Sequence, residues 1–277
     1  MVGDFTKMNR RQRHIYYDTD LQIEMYEFKG IGQKFVSHFH GNYVIGLMEK
    51  GSRNFVCGGR KYVIAAGDIL LINPRQAHGC EQIGGENLHY FSFNIAEEVM
   101  QEIAGYNVLP YFAECVVKSQ PLKRLMLDLR EMIATGGDCS AKKKLFLLLM
   151  KELLKYCSIE AVETEKYKTA AKIEDICRYL AKNYWRNVTL DELVQMSGIS
   201  KFHLIRLFVR QKKLSPHKYL ETVRIKQAKH FLEEGFSPVQ AALKAGFTDQ
   251  SHFTNVFRAL IGLTPRVYKN IMKEVDK

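Results

Sequence analysis

The sequence has no apolar run of the roughly 18 residues that a membrane-spanning helix needs, which excludes a transmembrane chain. No two of its six cysteines are closely spaced, which excludes the paired spacing of a zinc finger and a dense disulfide framework. Met1–Arg13 is polar and basic and lacks the apolar core of a secretory signal. We therefore expect a cytoplasmic protein with reduced thiols.

Acidic residues are scarce in the second half of the chain. Glu165–Lys277 carries 21 Lys and Arg against 11 Asp and Glu, a net charge of +10, whereas Met1–Thr164 carries 20 against 19. A basic region beside a nearly neutral one is typical of a polyanion-binding module joined to a second domain; a solvated basic face without a partner is the alternative. The length of 277 residues suits two domains.

The first part of the chain is expected to be rich in β-strands. Short apolar or alternating segments between about Asp20 and Ile95 are separated by glycine turns, and Gly58-Gly59 predicts a hairpin. The predicted segments are Leu21–Met25, Tyr43–Met48, Asn54–Cys57, Tyr62–Ala65, Ile69–Ile72 and Leu88–Ile95. Many short strands at close spacing indicate a sandwich or a small barrel.

Two helical stretches follow the strands. Leu122–Ile133 and Leu145–Tyr156 carry apolar residues at helical spacing, and Thr135–Asp138 breaks the pattern between them. This predicts an antiparallel helical hairpin whose apolar stripe packs against the barrel, a second subunit or both. We expect a homodimer through this hairpin. The polar segment 158–170 is predicted to link a domain of residues 1–157 to a domain of residues 171–277.

The C-terminal domain contains an internal repeat. In both copies a glycine turn is followed by a phenylalanine. A proline lies eight residues after that phenylalanine, and a tyrosine lies three residues after the proline. The matching residues are Gly198, Phe208, Pro216 and Tyr219 in the first copy and Gly246, Phe257, Pro265 and Tyr268 in the second. Agreement at this many positions indicates two copies of one supersecondary unit.

Each copy is predicted to be a helix-turn-helix unit. Thr189 with Glu192 predicts a capping box on the first short helix, and Ser237 caps the corresponding helix of the second unit. The residues expected to face outward from the second helix of each unit are Lys201, Phe202, Ile205 and Arg206, then Gln250, Ser251, Thr254 and Asn255. Because Arg and Lys suit guanine while Asn and Gln suit adenine, these helices are expected to contact bases in the major groove of double-stranded DNA. A helical bundle that binds protein is the alternative.

A single helix over Pro216–Glu234 is predicted between the two units. About 18 residues at 1.5 Å each span roughly 27 Å. Such a rod can hold two recognition helices in successive major grooves, which recur about every 34 Å.

The repeat resembles the DNA-binding domain of the AraC/XylS family of bacterial transcription regulators. Gly246–Phe253 is close to the family signature, and further matching residues are Phe257, Arg258, Gly262, Thr264, Pro265 and Tyr268, then Ser200, Leu204, Arg206, Phe208, Ser215, Pro216, Arg224 and Ala228 in the first unit. The resemblance implies promoter binding, usually activation, RNA polymerase as a partner, and the eight outward residues as base contacts. Two residues depart from the family pattern: Lys213 stands where glycine is usual, and Asn255 where arginine is common.

The strand-rich part resembles the cupin-type sensor domain of the same family, through His38-Phe39-His40, Gly51, Gly67-Asp68, Pro74 and His78. The expected fold is therefore α+β with two domains. A cupin-like β-barrel with a helical hairpin precedes an all-α domain of two helix-turn-helix units.

Three histidines are candidate site residues. His38 and His40 lie two apart on a predicted strand and share a face, and His78 follows a second strand. Cupin enzymes bind iron, manganese or zinc with such a trio and usually a glutamate, but Val44 stands at the glutamate position here. We expect the histidines, with Tyr43, to line a pocket for a small polar effector, and we expect no metal. Metal binding and simple hydrogen-bonded histidines at the barrel mouth are the alternatives.

The sequence thus predicts a transcription regulator, not an enzyme, in which effector binding changes how the DNA-binding units are presented. A metal-dependent cupin enzyme fused to a DNA-binding domain is one rival. A ligand-independent regulator controlled by a protein partner is another. A DNA-alkylation sensor would need clustered metal-binding cysteines, which the sequence lacks.

Overall fold

The computed structural model describes residues 12–104, 109–158 and 167–275. The strands in these ranges are β1 Gln12–Asp18, β2 Ile23–Ile31, β3 Phe35–His38, β4 Tyr43–Lys50, β5 Arg53–Cys57, β6 Arg60–Ile64, β7 Ile69–Ile72, β8 His78–Gln82, β9 Leu88–Ile95, β10 Tyr111–Phe112, β11 Val116–Val117 and β12 Cys157–Ser158. One sheet has the order β1-β2-β9-β4-β7-β11, the other has the order β3-β8-β5-β6, and β10 pairs with β12. The two larger sheets share an apolar interior, as a small barrel requires.

The central strands are buried on both faces. In β4, Tyr43, Ile45 and Leu47 point to one side of the sheet, whereas Val44 and Met48 point into the barrel interior. Successive side chains of a strand alternate between faces, so a continuous apolar run marks a strand covered on both sides. Helices cover the outer face.

A helical hairpin covers that outer face. The helices of this part are α1 Glu97–Ala104, α2 Gln120–Thr135 and α3 Cys139–Leu153, and a short 3-10 helix over Leu154–Tyr156 follows. The stripe on α2 and α3, including Leu122, Met126 and Leu149, packs against the sheet. Gly136 ends α2 in the left-handed conformation, at φ 68°, and the Asp138 side chain caps α3. The apolar stripe therefore packs chiefly within the chain.

The strand β1 is not among the predicted segments, and a buried ion pair secures it. The Lys142 ammonium on α3 lies 2.6 Å from the carboxylates of both Asp18 and Asp20. Asp18 and Lys142 are buried, so the charge of each is compensated by the other and not by water. The buried residues of β1 among its described side chains, Ile15 and Asp18, are three apart and one is charged, so the segment lacks the apolar alternation that predicts a strand.

The C-terminal part is entirely helical in its described residues. Its helices are α4 Tyr167–Lys182, α5 Leu190–Ser197, α6 Lys201–Lys212, α7 Pro216–Glu233, α8 Pro238–Lys244, α9 Gln250–Ile261 and α10 Pro265–Val275. The pairs α5–α6 and α8–α9 are the two helix-turn-helix units, and α7 joins them as one continuous helix. The predicted linker at 158–170 falls largely outside the described residues, and α4 begins within it at Tyr167.

Two details of the helical part differ from simple expectation. Leu243 is apolar, but its side chain is 64% exposed on α8, where Ala241 and Ala242 are the buried residues. Lys213 ends α6 in the left-handed conformation, at φ 58°, although it is not a glycine. No described helix is both long and apolar enough to cross a membrane.

Candidate DNA-binding surface and effector cavity

The first unit presents a basic and partly apolar helix to solvent. Lys201, Phe202 and Arg206 are exposed on α6, and Ile205 is half-buried beside them. Phe202 is 86% exposed. Leu204 and Phe208 anchor the opposite face in the core. A large apolar side chain that is exposed on a helix is typical of a binding surface, and a thymine methyl group is one apolar partner that this ring can contact in the major groove.

The second unit presents uncharged polar side chains at its predicted base contacts. Gln250, Ser251 and Asn255 are exposed on α9, and Thr254 is half-buried. The Asp249 carboxylate caps the helix by accepting hydrogen bonds from the backbone of His252 at 2.7 Å and Ser251 at 3.1 Å. These bonds lower the pKa of Asp249. The structure thus places all eight predicted base contacts on the two outer helices, six of them exposed.

The two units are joined by more than α7. The Arg224 guanidinium on α7 donates to the carbonyl oxygens of Tyr184 at 2.8 Å and Arg186 at 2.9 Å. Gly246, in the turn of the second unit, lies so close to the Tyr184 carbonyl that an added Cβ would stand 2.6 Å from it. This contact explains why the second turn needs a glycine.

A cavity of about 350 Å³ lies between the barrel interior and the helical domain. Apolar side chains from the strands line much of it, among them Phe28, Val44, Met48, Phe55, Leu70 and Ile72. Helix α7 closes one side with Tyr219, Thr222, Val223 and Lys226, and α9 contributes Leu260 and Ile261. The wall of the cavity therefore belongs to both domains.

The three predicted histidines meet at the polar part of this cavity. His38 Nε2 lies 3.1 Å from His40 Nε2, and the ring centroids of the trio are 4.5–5.0 Å apart. Burial lowers the pKa of His38, lowers that of His40 well below its usual value, and lowers that of His78 to about 3. All three rings are therefore neutral at physiological pH.

Two lysines of α7 reach the cavity, and sequence analysis missed both. Lys229 Nζ lies 3.3 Å from the Glu24 carboxylate and 3.1 Å from the Tyr26 hydroxyl, both on β2. Burial alone would lower the pKa of Lys229, but the Glu24 charge and the surrounding phenols raise it well above its usual value. Lys226 is exposed, and its ammonium approaches Gly41, next to His40. Only the docking of α7 on the barrel reveals these positions.

Tyr43 does not line the cavity. Its ring is buried on the outer face of the sheet against Phe112, and its hydroxyl donates to the Pro110 carbonyl at 2.6 Å. The neighbouring Val44 points into the cavity instead. The expected role of Tyr43 in effector binding is therefore corrected, because one step along a strand reverses the face.

Comparison with known proteins identifies both domains. Residues 20–150 match the AraC-like ligand binding domain, and residues 193–271 match a helix-turn-helix domain. The uncharacterized HTH-type transcriptional regulator YbfI of Bacillus subtilis (strain 168) is 41% identical over 249 residues, which cover 88% of this chain and 90% of that protein. The chain belongs to the AraC family of transcription regulators.

Other relatives agree with this assignment. The HTH-type transcriptional activator RhaS of Escherichia fergusonii is 24% identical over 244 residues, covering 84% of this AraC-family chain and 86% of RhaS. The relatives are DNA-binding regulators and not enzymes, so the predicted class is confirmed and the rival enzyme is not supported.

The fold is that of ToxT from Vibrio cholerae. An apo form of ToxT with a single lysine-to-alanine substitution aligns with a TM-score of 0.56 at 16% identity, covering 93% of this chain and 99% of ToxT. The wild-type form bound to an unsaturated fatty acid aligns with a TM-score of 0.53 at 18% identity, covering 99% of each chain. These alignments confirm the two-domain fold.

Proposed function

We propose that this AraC-family regulator activates transcription from its promoters when a small molecule occupies the cavity between its two domains. The observation that carries the proposal is the composition of the cavity wall. Val44 and Met48 of the barrel line the same cavity as Val223 of α7 and Ile261 of α9, so a molecule that fills it would contact both domains. Its binding energy therefore depends on how the two domains are docked, which is the differential interaction that allosteric control requires.

The cavity lining favours an amphipathic effector. The barrel interior offers apolar side chains, whereas three neutral histidines and the Lys226 ammonium lie at the polar part. An apolar body in the barrel with a carboxylate at that polar part would satisfy both. The bound fatty acid of ToxT is an example of such chemistry in a protein of the same fold.

The experiment uses oleate as the probe and its methyl ester as the uncharged control. Oleate is expected to bind the full-length protein in calorimetry and to change its affinity for promoter DNA, whereas methyl oleate should bind at least about tenfold more weakly, because the ester lacks the charge that Lys226 would pair with. Lys226→Met should reduce the difference between the two probes.

The control variant is Lys172→Met, which changes an exposed lysine of α4 outside the cavity. If neither probe binds and the promoter fragment is occupied equally with and without them, control by a protein partner becomes the better explanation. His78→Ala should weaken the response to the probe without changing basal DNA binding.

We also propose that the chain acts as a cytoplasmic homodimer that recruits RNA polymerase. Most of the hairpin stripe is covered by the barrel, but Leu147 and Leu148 on α3 remain 55% and 48% exposed. Two adjacent exposed leucines on a rigid helix support a self-association surface. Light scattering should give a dimer at micromolar concentration, and Leu148→Glu should give a monomer. A wild-type monomer with and without DNA would contradict the dimer.

A further inference from the structure

The three imidazole rings have the spacing of a metal site. One ligand nitrogen from each of His38, His40 and His78 lies within 4.8 Å of the other two. A tetrahedral zinc ion with Zn–N bonds of about 2.0–2.1 Å needs nitrogens roughly 3.3 Å apart. The His38 and His40 nitrogens are already 3.1 Å apart, so small side-chain rotations close the remaining distance.

The hydrogen bonds around the trio fix which nitrogens are available. His38 Nδ1 lies 2.7 Å from the Val36 carbonyl, and His78 Nδ1 lies 2.9 Å from the Gln76 carbonyl. A carbonyl only accepts, so each Nδ1 carries the proton and each Nε2 presents a lone pair. Metal-ligating histidines in proteins are oriented in this way, with the second ring nitrogen bonded to a carbonyl or carboxylate.

The charges around the trio indicate what such a site would take. Glu24 is the acidic residue among the described cavity-lining side chains, and Lys229 already binds its carboxylate. Imidazole donors without a carboxylate or a thiolate suit zinc, copper, nickel or iron. We propose that His38, His40 and His78 bind one divalent transition-metal ion, with Zn²⁺ as the ion that the geometry suits. This proposal reverses the expectation from the sequence that the trio holds no metal.

The ion would keep an open position toward the cavity. Three neutral imidazoles leave the full charge of +2 uncompensated, and Lys226 adds a further positive charge nearby. The fourth ligand that fits is an anionic oxygen, so the metal anchors the carboxylate of the effector. Metal binding stands without the proposed effector, whereas the anchoring role rests on the proposed function.

The test titrates metal-free, full-length protein with Co²⁺ alone, because Co²⁺ reports tetrahedral nitrogen coordination by its visible absorption. One equivalent is expected to bind, to survive gel filtration and to be displaced by one equivalent of Zn²⁺. His78→Gln and His40→Gln should each weaken Co²⁺ binding at least about a hundredfold. His14→Gln, which changes an exposed histidine of β1, should leave it unchanged.

Folding of each variant is checked by circular dichroism, and His40→Gln provides the milder change because His40 is only half-buried. Absence of retained Co²⁺ in the folded wild-type protein, or equal retention in the folded glutamine variants, overturns the metal site. If Co²⁺ and Zn²⁺ bind but oleate binds equally with and without metal, the anchoring role is overturned while the site stands.

Discussion

The two helix-turn-helix units are copies of one motif, but they pack against different neighbours. The first unit shares a core with α4 and α7, built around Leu193, Leu204 and Phe208. The core of the second unit is continuous with the barrel interior. At its far end, an added Cβ on Gly262 would lie 3.4 Å from the Phe35 ring. The Gln33 side chain also donates to the Arg258 carbonyl at 2.9 Å.

This difference indicates a division of roles. Leu260 and Ile261 of the second unit line the cavity, whereas the described residues of α5 and α6 do not. We infer that the first unit holds the protein on DNA and that the effector controls how the second unit is placed. The predicted base contacts agree with this division. Those of the first unit include Lys201 and Arg206, which supply charge, and those of the second unit are neutral polar side chains.

The largest expected effect comes from breaking the link between α7 and the barrel. Lys229→Met leaves the largely buried Glu24 carboxylate without its partner, and we expect a loss of about 3 kcal/mol in the free energy of unfolding. DNA binding by the variant should no longer respond to the effector. Chemical denaturation and fluorescence anisotropy on promoter DNA measure the two effects.

The matched control is Glu24→Leu combined with Lys229→Met, which removes both charges together. The double variant should recover much of the lost stability, because no unpaired charge remains. It should stay unresponsive to effector. A fully responsive double variant would mean that the ion pair has no part in the coupling.

The second prediction compares the two base-contacting helices. Arg206→Ala should reduce affinity for specific DNA roughly tenfold to a hundredfold and relax base preference, because a guanidinium can bond a guanine edge twice. Asn255→Ala should reduce the affinity for specific DNA by a smaller factor, and only when effector is bound. Anisotropy with specific and random duplexes measures both, and equal losses on the two duplexes would show that Arg206 contacts only phosphate.

The melting temperatures of the two alanine variants are the control for this comparison. Arg206 and Asn255 are both exposed, so neither alanine variant should change the melting temperature measurably. A large decrease for Arg206→Ala would contradict the proposed orientation of α6.

Sequence patterns defined the repeats well because their signals are local. Glycine at Gly198 and the Thr189–Glu192 box specify helix ends within a few residues, whatever the rest of the chain does. The face of Tyr43 depends on strand register, which one sequence does not determine. The sequence does not predict the cavity, because Lys226 and Val44 are far apart in the chain and line the same cavity only when the two domains are docked.

The third prediction concerns the corresponding ends of the two outer helices. Lys213 in the first unit and Gly262 in the second both have positive φ, 58° and 84°. A non-glycine residue in this conformation costs roughly 1–2 kcal/mol, partly offset by the greater freedom of glycine in the unfolded chain. We expect Lys213→Gly to stabilise the protein by up to about 1 kcal/mol. Gly262→Ala should destabilise it by about 1–2 kcal/mol.

Urea denaturation of the two variants measures this contrast. Because Gly262 also lies against Phe28 and Phe35, Gly262→Ala should weaken effector coupling as well. Lys213→Gly should leave coupling unchanged. The Lys213 side chain lies against Gly59 of the β5–β6 turn. A destabilised Lys213→Gly variant would mean that this contact stabilises the protein by more than the backbone strain destabilises it.

The smallest expected effect concerns the capping boxes of the two short helices. In the first unit the Glu192 carboxylate accepts from the Thr189 backbone and from Arg186, whereas in the second the neutral Gln240 side chain accepts from the Ser237 backbone at 2.9 Å. The Arg186 guanidinium, and then the Tyr179 hydroxyl, lower the pKa of Glu192 from 4.5 to about 2. Its stabilising contribution is thus complete above pH 4.5 and is lost as the pH falls through about 2.

Acid should therefore loosen α5 before α8. Hydrogen exchange, corrected for intrinsic rates, is expected to show lower protection in α5 as the pH falls below 4.5, with no matching change at the cap of α8. Glu192→Gln should remove this pH dependence and lower the protection of α5 slightly at neutral pH, because a half-buried ion pair at the surface contributes little. Gln240→Glu should introduce an acid dependence into α8. If α5 and α8 of the wild-type protein lose protection together, the two units unfold as one cooperative body, and the separate core of the first unit does not give it separate stability.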